Sequence, residues 1–149
     1  RLVYCCDLPD HCRHGTFFAP RVFEVDAMDR LQAEVFGPVL HVIRYRAGDL
    51  DRVIDAINAT GYGLTFGVQS RIDATADRLT AEIRAGNHYV NRNMIGAVVG
   101  VQPFGGVGLS GTGPKAGGPH YLLRFASERV VSTNTSAAGG NAALLSASD

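Results

Sequence analysis

Hydrophobic periodicity along this chain switches between two and nearly four, and each switch marks an element. Residues 15–25, GTFFAPRVFEV, are rich in aromatic and β-branched types and read as extended, interrupted at Pro20. Val39 to Tyr45 is nearly continuously apolar, as a strand covered on both faces would be. In DLDRVIDAINAT, Leu50, Val53, Ile54 and Ile57 recur at i, i+3, i+4 and i+7, which predicts an amphipathic helix. Leu64, Phe66 and Val68 alternate and predict another strand. Ser70 and Asp73 stand in a capping-box-like spacing before a second helix. Its expected buried stripe is Ile72, Ala76, Leu79 and Ile83, with Gly86 as the C-terminal stop. His88 to Asn91 reads as a short strand. Strand, helix, strand, helix, strand with short connections predicts an α/β fold: a parallel sheet with right-handed βαβ crossovers.

Sheets of this kind receive ligands outside the carboxyl ends of their strands. The segment expected there, residues 92–119, lacks periodicity and holds Gly96, Gly100, Gly105, Gly106, Gly108, Gly111, Gly113, Gly117 and Gly118, half of the chain's 18 glycines. Glycine lets backbone amides approach a ligand closely or cradle an anion. Two nucleotide motifs fail on context. Gly106 to Gly111 matches GxGxxG, but Pro103 and glycines precede it where a strand is needed, and TGPKAGGP follows where a helix is needed. Pro114 breaks the Walker A spacing before Lys115. Beyond the loop, HYLLRFAS predicts a short helix with Tyr121, Leu122 and Phe125 toward a core, and ERVVSTNT, residues 128–135, a last strand. SAAGGNAALLSASD reads as a small-residue tail.

Composition narrows the classes. The chain is 46% hydrophobic and 19% charged, enough for an ordinary core and unlike a disordered segment. Fourteen basic residues balance fourteen acidic ones, which leaves no electrostatic footprint for nucleic acid. No apolar run approaches the ~18 residues of a membrane helix. Cys5, Cys6 and Cys12 form no disulfide framework and fit a reducing, cytoplasmic setting. With His11 and His14 they lack metal-site spacing, so no metal is expected. The opening RLVYCCDLPD has no initiating Met and begins in mid-strand, so a longer polypeptide is expected.

One stretch remains. EVFGPV sets a lone carboxylate, Glu34, and a ring, Phe36, before a Gly-Pro corner at the mouth of a strand. GTFFAP, EVFGPV, NHYVN and PFGGVGLSGTG, in this order, resemble the C-terminal part of the NAD(P)-dependent aldehyde dehydrogenase superfamily. GAVVGVQPFGG followed by KAGGPHYLLRF is similar to the L-glutamate γ-semialdehyde (1-pyrroline-5-carboxylate) dehydrogenases. TNTSAAGGNAALLS is similar to the end of the bifunctional proline utilisation A proteins, in which that dehydrogenase is fused behind a proline dehydrogenase.

The resemblance implies a role for each stretch. Glu34 would accept hydrogen bonds from the nicotinamide ribose hydroxyls of NAD, and Phe36 would pack beside the nicotinamide. Backbone amides at Gly96 and Ala97 would receive the substrate α-carboxylate, and Phe104 would lie along its methylene stem. Ala33 replaces a second acid usual in the family, and Ala97 a frequent Ser. The implied reaction is covalent: a cysteine thiolate attacks the aldehyde, hydride passes to NAD, and water cleaves the thioester. The Gly-Gln-x-Cys setting of that nucleophile is absent, so no catalytic residue is expected here and the segment alone should be inactive. FAD would belong only to an upstream proline dehydrogenase domain. Residues 1–127 would be the C-terminal part of the dehydrogenase, 128–135 a strand joining subunits of a homo-oligomer, and 136–149 a tail near the route between active sites. The rival readings are a different aldehyde dehydrogenase and a non-catalytic assembly module that keeps the frame.

Overall fold

A computed structural model of the chain describes residues 1–98 and 100–138. Leu2–Cys5 (β1) runs antiparallel to Arg21–Glu24 (β2), and β2 runs parallel to Val39–Val42 (β3), giving the sheet order β1-β2-β3. The Gly37–Pro38 corner starts β3: Val39 N–H donates to Gly37 O (2.8 Å) and Arg21 N–H to Pro38 O (3.0 Å). Glu24 closes the far end, accepting from Arg44 Nε at 2.8 Å and from Arg1. The Arg44 bond, helped by the Arg1 charge, holds the Glu24 carboxyl below its ordinary value although burial pushes it upward.

Leu50–Ala59 (α1) forms where the i, i+3, i+4 pattern places it, with Ile54 buried. Tyr62–Gly63 (β4) and Thr65–Val68 (β5) follow, then Asp73–Glu82 (α2) and Asn87–Val90 (β6). β5 and β6 pair in parallel, Phe66 opposite His88 and Val68 opposite Val90, so β5–α2–β6 is the expected βαβ unit. Ile54, Val68, Ala76, Leu79 and Ile83 make its core, with Leu50, Ile57 and Phe66 packed against it. Two polar contacts lock the helices together. Asn58 Nδ2 donates to Glu82 O (3.0 Å), and Arg84 N–H donates to Asn58 Oδ1 (2.8 Å). Arg78 joins Glu82 (2.8 Å) to Asp51 of α1, which raises its pKa.

Several expectations change. β3 and β5 are not hydrogen-bonded to each other; β3 is used by β2, β5 by β6, and the sheets are mixed rather than one parallel array. Ser70 does not cap α2. Its Oγ accepts from Ile72 N–H (3.0 Å), one residue before the helix, and Ile72 itself is 64% exposed. Gly86 is not the left-handed stop, because α2 ends at Glu82; a Cβ at Gly86 would lie 1.8 Å from Gly105 O, so close approach is what this position requires. HYLLRFAS forms a 3-10 turn, Leu122–Phe125, whose apolar side chains stay exposed. Residues 128–134 form no strand among the described residues, and Thr135–Ala138 is a second 3-10 turn. Residues 139–149 of the expected tail lie outside the described residues.

The chain exposes 12159 Å². A folded monomer of 15.8 kDa would expose roughly 7,300 Å² by the surface-to-mass scaling. Part of the difference is apolar surface not covered within the segment, including Phe17, Phe18, Phe125, Val130 and Val131. No helix is long and apolar enough to cross a membrane among the described residues.

Candidate functional site

Residues 31–38 carry no helix or strand and bring Glu34 to a cleft of about 640 Å³. Its walls come from the segment around Met28 and Leu31, from His41 of β3, from Ile57 and Thr60 at the end of α1, and from Tyr62 to Thr65. Leu109 and Ser110 of the glycine loop complete it. The Glu34 carboxylate has no hydrogen-bond or ion-pair partner among the described residues, so both oxygens remain acceptors for hydroxyl donors. That donor-seeking chemistry fits a ribose diol. Phe36 stands just outside, 95% exposed, its ring available to a flat partner.

The glycine loop is fixed at several points. Val107–Gly108 (β7) pairs antiparallel with β4, and Gly63 N–H donates to Ser110 Oγ (3.0 Å). The GVGLSG stretch is therefore a strand and turn laid on β4, and no α-helix follows it among the described residues. Phe104 exchanges both backbone hydrogen bonds with Ala116, at 3.0 and 2.9 Å. Asn87, the first residue of β6, donates from Nδ2 to Pro103 O (3.0 Å) and accepts from Gly105 N–H (3.2 Å). Lys115 Nζ donates to Gly105 O (2.7 Å), to Asn87 Oδ1 (3.2 Å) and to Gly86 O.

Nearer the start of the loop, Gly96 has φ +59°, a backbone region that favours glycine. Its carbonyl accepts from the Tyr89 hydroxyl at 3.3 Å, and Tyr89 is buried at 4% exposure with Arg92 stacked on its ring. Neighbouring amides are occupied: Ile95 N–H donates to Asn93 Oδ1 (3.2 Å) and Val98 N–H to Gln102 Oε1 (3.2 Å). The amides of Gly96 and Ala97 between them have no acceptor among the described residues. Two adjacent N–H groups without an acceptor among the described residues thus lie on one pinned turn, an arrangement able to receive an anion.

The structure thus separates the predicted residues. Glu34 lines the cleft; Phe36, Gly96, Ala97 and Phe104 do not. Within this chain the carboxylate and the glycine turn are two half-sites rather than one cavity. Sequence reasoning missed Tyr89, Asn87, Lys115 and Ser110, which hold the loop. An Asn opening a strand and a single lysine within a glycine run were the available signals.

Comparison with known proteins decides the affiliation. Residues 1–131 match the aldehyde dehydrogenase family. The chain belongs to that family. It is 63% identical over 118 residues to the bifunctional protein PutA of Escherichia coli K12, covering 79% of this chain and 9% of that protein. It is 42% identical over 120 residues to the 1-pyrroline-5-carboxylate dehydrogenase of Bacillus subtilis 168, covering 79% of this chain and 23% of that one. A crystal structure of a PutA from Bradyrhizobium japonicum superposes with a TM-score of 0.82 at 59% identity, over 92% of this chain and 14% of that chain. A 1-pyrroline-5-carboxylate dehydrogenase from Thermus, solved with bound NAD, gives 0.73 at 43% identity, over 84% and 24%. The chain therefore spans about a tenth of the PutA relatives and about a quarter of the shorter dehydrogenases. This aldehyde dehydrogenase segment carries the family's α/β fold in mixed sheets and helices.

Proposed function

We propose that this segment serves a full-length NAD-dependent dehydrogenase that oxidises L-glutamate γ-semialdehyde, formed from 1-pyrroline-5-carboxylate, to L-glutamate in proline catabolism. The observation that carries the reading is the Gly96 turn, with two adjacent amides that meet no acceptor among the described residues and its carbonyl pinned by Tyr89. A short aldehyde ending in an α-carboxylate needs such a nest, and Phe104, further along the same loop, supplies an apolar wall for the methylene stem. Kinship with PutA and 1-pyrroline-5-carboxylate dehydrogenases supports the same substrate.

Glu34 holds the nicotinamide ribose through its two free acceptor oxygens, and Phe36 borders the nicotinamide. NAD, when bound, supplies the two-electron acceptor. No residue here is assigned to bond-making: the nucleophilic cysteine belongs to the rest of the enzyme, and FAD to a proline dehydrogenase domain where one is fused. Residues 128–135, which form no strand by themselves among the described residues, take up extended pairing only against another subunit of a cytoplasmic homo-oligomer. Val130 and Val131, 82% and 72% exposed, support that role.

Two substitutions in the full-length enzyme test the reading. Glu34→Ala should raise the KM for NAD about tenfold, a loss of one charge-assisted contact, with the KM for the aldehyde little moved. Unchanged NAD dependence removes Glu34 from the site. Gly96→Val should impair turnover of glutamate semialdehyde far more than that of propanal. Equal loss on both aldehydes means that the loop does not read the carboxylate.

A further inference from the structure

Lys115 is the only lysine in the sequence. An ammonium offers three donors and no acceptor, and here each donor has an oxygen: Gly86 O, Asn87 Oδ1 and Gly105 O. No carboxylate pairs with it among the described residues. Its charge is therefore spent on the peptide groups of two segments far apart in sequence. Those segments touch closely, since a Cβ at Gly86 would collide with Gly105 O. The carbonyls of Gly86 and Gly105 bring like partial charges together, and a cation bridging them converts repulsion into attraction. The same side chain stands one residue before Ala116, the backbone partner of Phe104. Lys115 thus reaches Phe104 through its neighbours: the residue after it, Ala116, pairs with the Phe104 backbone, and its ammonium holds the carbonyl of Gly105.

We infer that Lys115 is a positioning residue for the aldehyde site: its ammonium fixes Phe104 and Gly105 against the start of β6 and so sets the wall that meets the substrate's stem. The inference rests on the reading of Phe104 given above. It acts without touching the reacting atoms, so its loss weakens substrate binding more than the chemical step.

The test uses the full-length enzyme with Lys115→Met and Lys115→Arg. Lys115→Met should raise the KM for glutamate semialdehyde about tenfold while kcat stays within about twofold. Amide hydrogen exchange across residues 103–106 should accelerate by about an order of magnitude, the mark of a locally opened segment. Lys115→Arg should recover part of both effects by keeping the charge. Wild-type KM and exchange in Lys115→Met overturn the inference, as does an equal loss of kcat and KM on glutamate semialdehyde and propanal. Should Lys115→Met fail to fold, acetylation of the wild-type enzyme by an N-hydroxysuccinimide ester, followed by mass spectrometry, decides. Lys115 should react at least about tenfold more slowly than Nα-acetyl-lysine amide in the same mixture because its amine is held by three acceptors; an equal rate overturns the clamp. Phe104→Ala separates the two readings: if it leaves the semialdehyde KM unchanged while Lys115→Met still speeds exchange, the assignment of Phe104 falls and the clamp is a property of the loop alone.

Discussion

The hydroxyl of Tyr89 donates to the carbonyl of Gly96 across 3.3 Å, tying a residue of 4% exposure in β6 to the left-handed turn of the glycine loop. The buried strand thereby fixes the carbonyl of a turn whose Gly96 and Ala97 amides meet no acceptor among the described residues. Tyr89→Phe keeps the ring and its stacking with Arg92 but removes the tether. We expect a loss of stability of at most about 1 kcal/mol, typical of one neutral hydrogen bond. The KM for glutamate semialdehyde should rise about threefold to tenfold, that for propanal by less. Steady-state kinetics on both aldehydes checks it; an unchanged ratio of the two would detach Tyr89 from the turn's function.

Two glycines of the same region should respond oppositely to alanine. Gly86→Ala places a Cβ 1.8 Å from Gly105 O, where backbone must yield, and should displace the loop and abolish most activity. Gly96→Ala meets nothing within 4 Å and carries only the conformational penalty of φ +59°, on the order of 1 kcal/mol. Thermal melts and turnover of the two variants, compared side by side, should separate a steric failure from mild strain. Equal behaviour would contradict the close approach of Gly86 to Gly105.

The core makes a sharper contrast between residues of one type. Ile83 is 4% exposed within the α1–α2–β5 cluster, whereas Ile72 is 64% exposed. Ile83→Ala should cost about 2–5 kcal/mol by cavity formation. Ile72→Ala should lie within about 0.5 kcal/mol of wild type, as surface changes do. Urea denaturation of the full-length enzyme, read at the transition that includes this region, distinguishes them.

Acid should loosen the three-stranded sheet. Arg44, with Arg1 beside it, lowers the Glu24 pKa from its ordinary 4.5. A group whose folded pKa is depressed stabilises the fold above its unfolded pKa, and that contribution disappears as pH falls through the folded value. Stability should thus decline as the pH drops below about 4.5, and Glu24→Gln should flatten this part of the profile. Carbon-detected NMR titration of the Glu24 carboxyl supplies the direct check: a midpoint at or above 4.5 would contradict the ion pair.

These residues also mark how far the sequence could be read. Leu50, Val53, Ile54 and Ile57 announced α1 because helical packing repeats locally, and Phe66 and Val68 announced β5 for the same reason. Ile72 and Ser70 misled, since α2 begins two residues beyond the spacing that suggested a cap and leaves Ile72 in solvent. The lateral neighbours of β3 and β5 were not legible, because strand pairing is a nonlocal choice with no period of its own. Among the candidate site residues, Glu34 and the glycine turn stood out by residue type, whereas Lys115 was marked only by its place in a glycine run: its partners are mostly peptide oxygens, which every residue has.

The placement of Asn87 orders events during folding. This side chain serves Pro103 and Gly105 from the first position of β6, and Lys115 reaches the same spot from further along the chain. The glycine loop has no template until β5, α2 and β6 have assembled, and that unit is built from near neighbours that close quickly. Ribosomal synthesis delivers the parts in this sequence, so the glycine loop takes its shape late, upon a scaffold already standing.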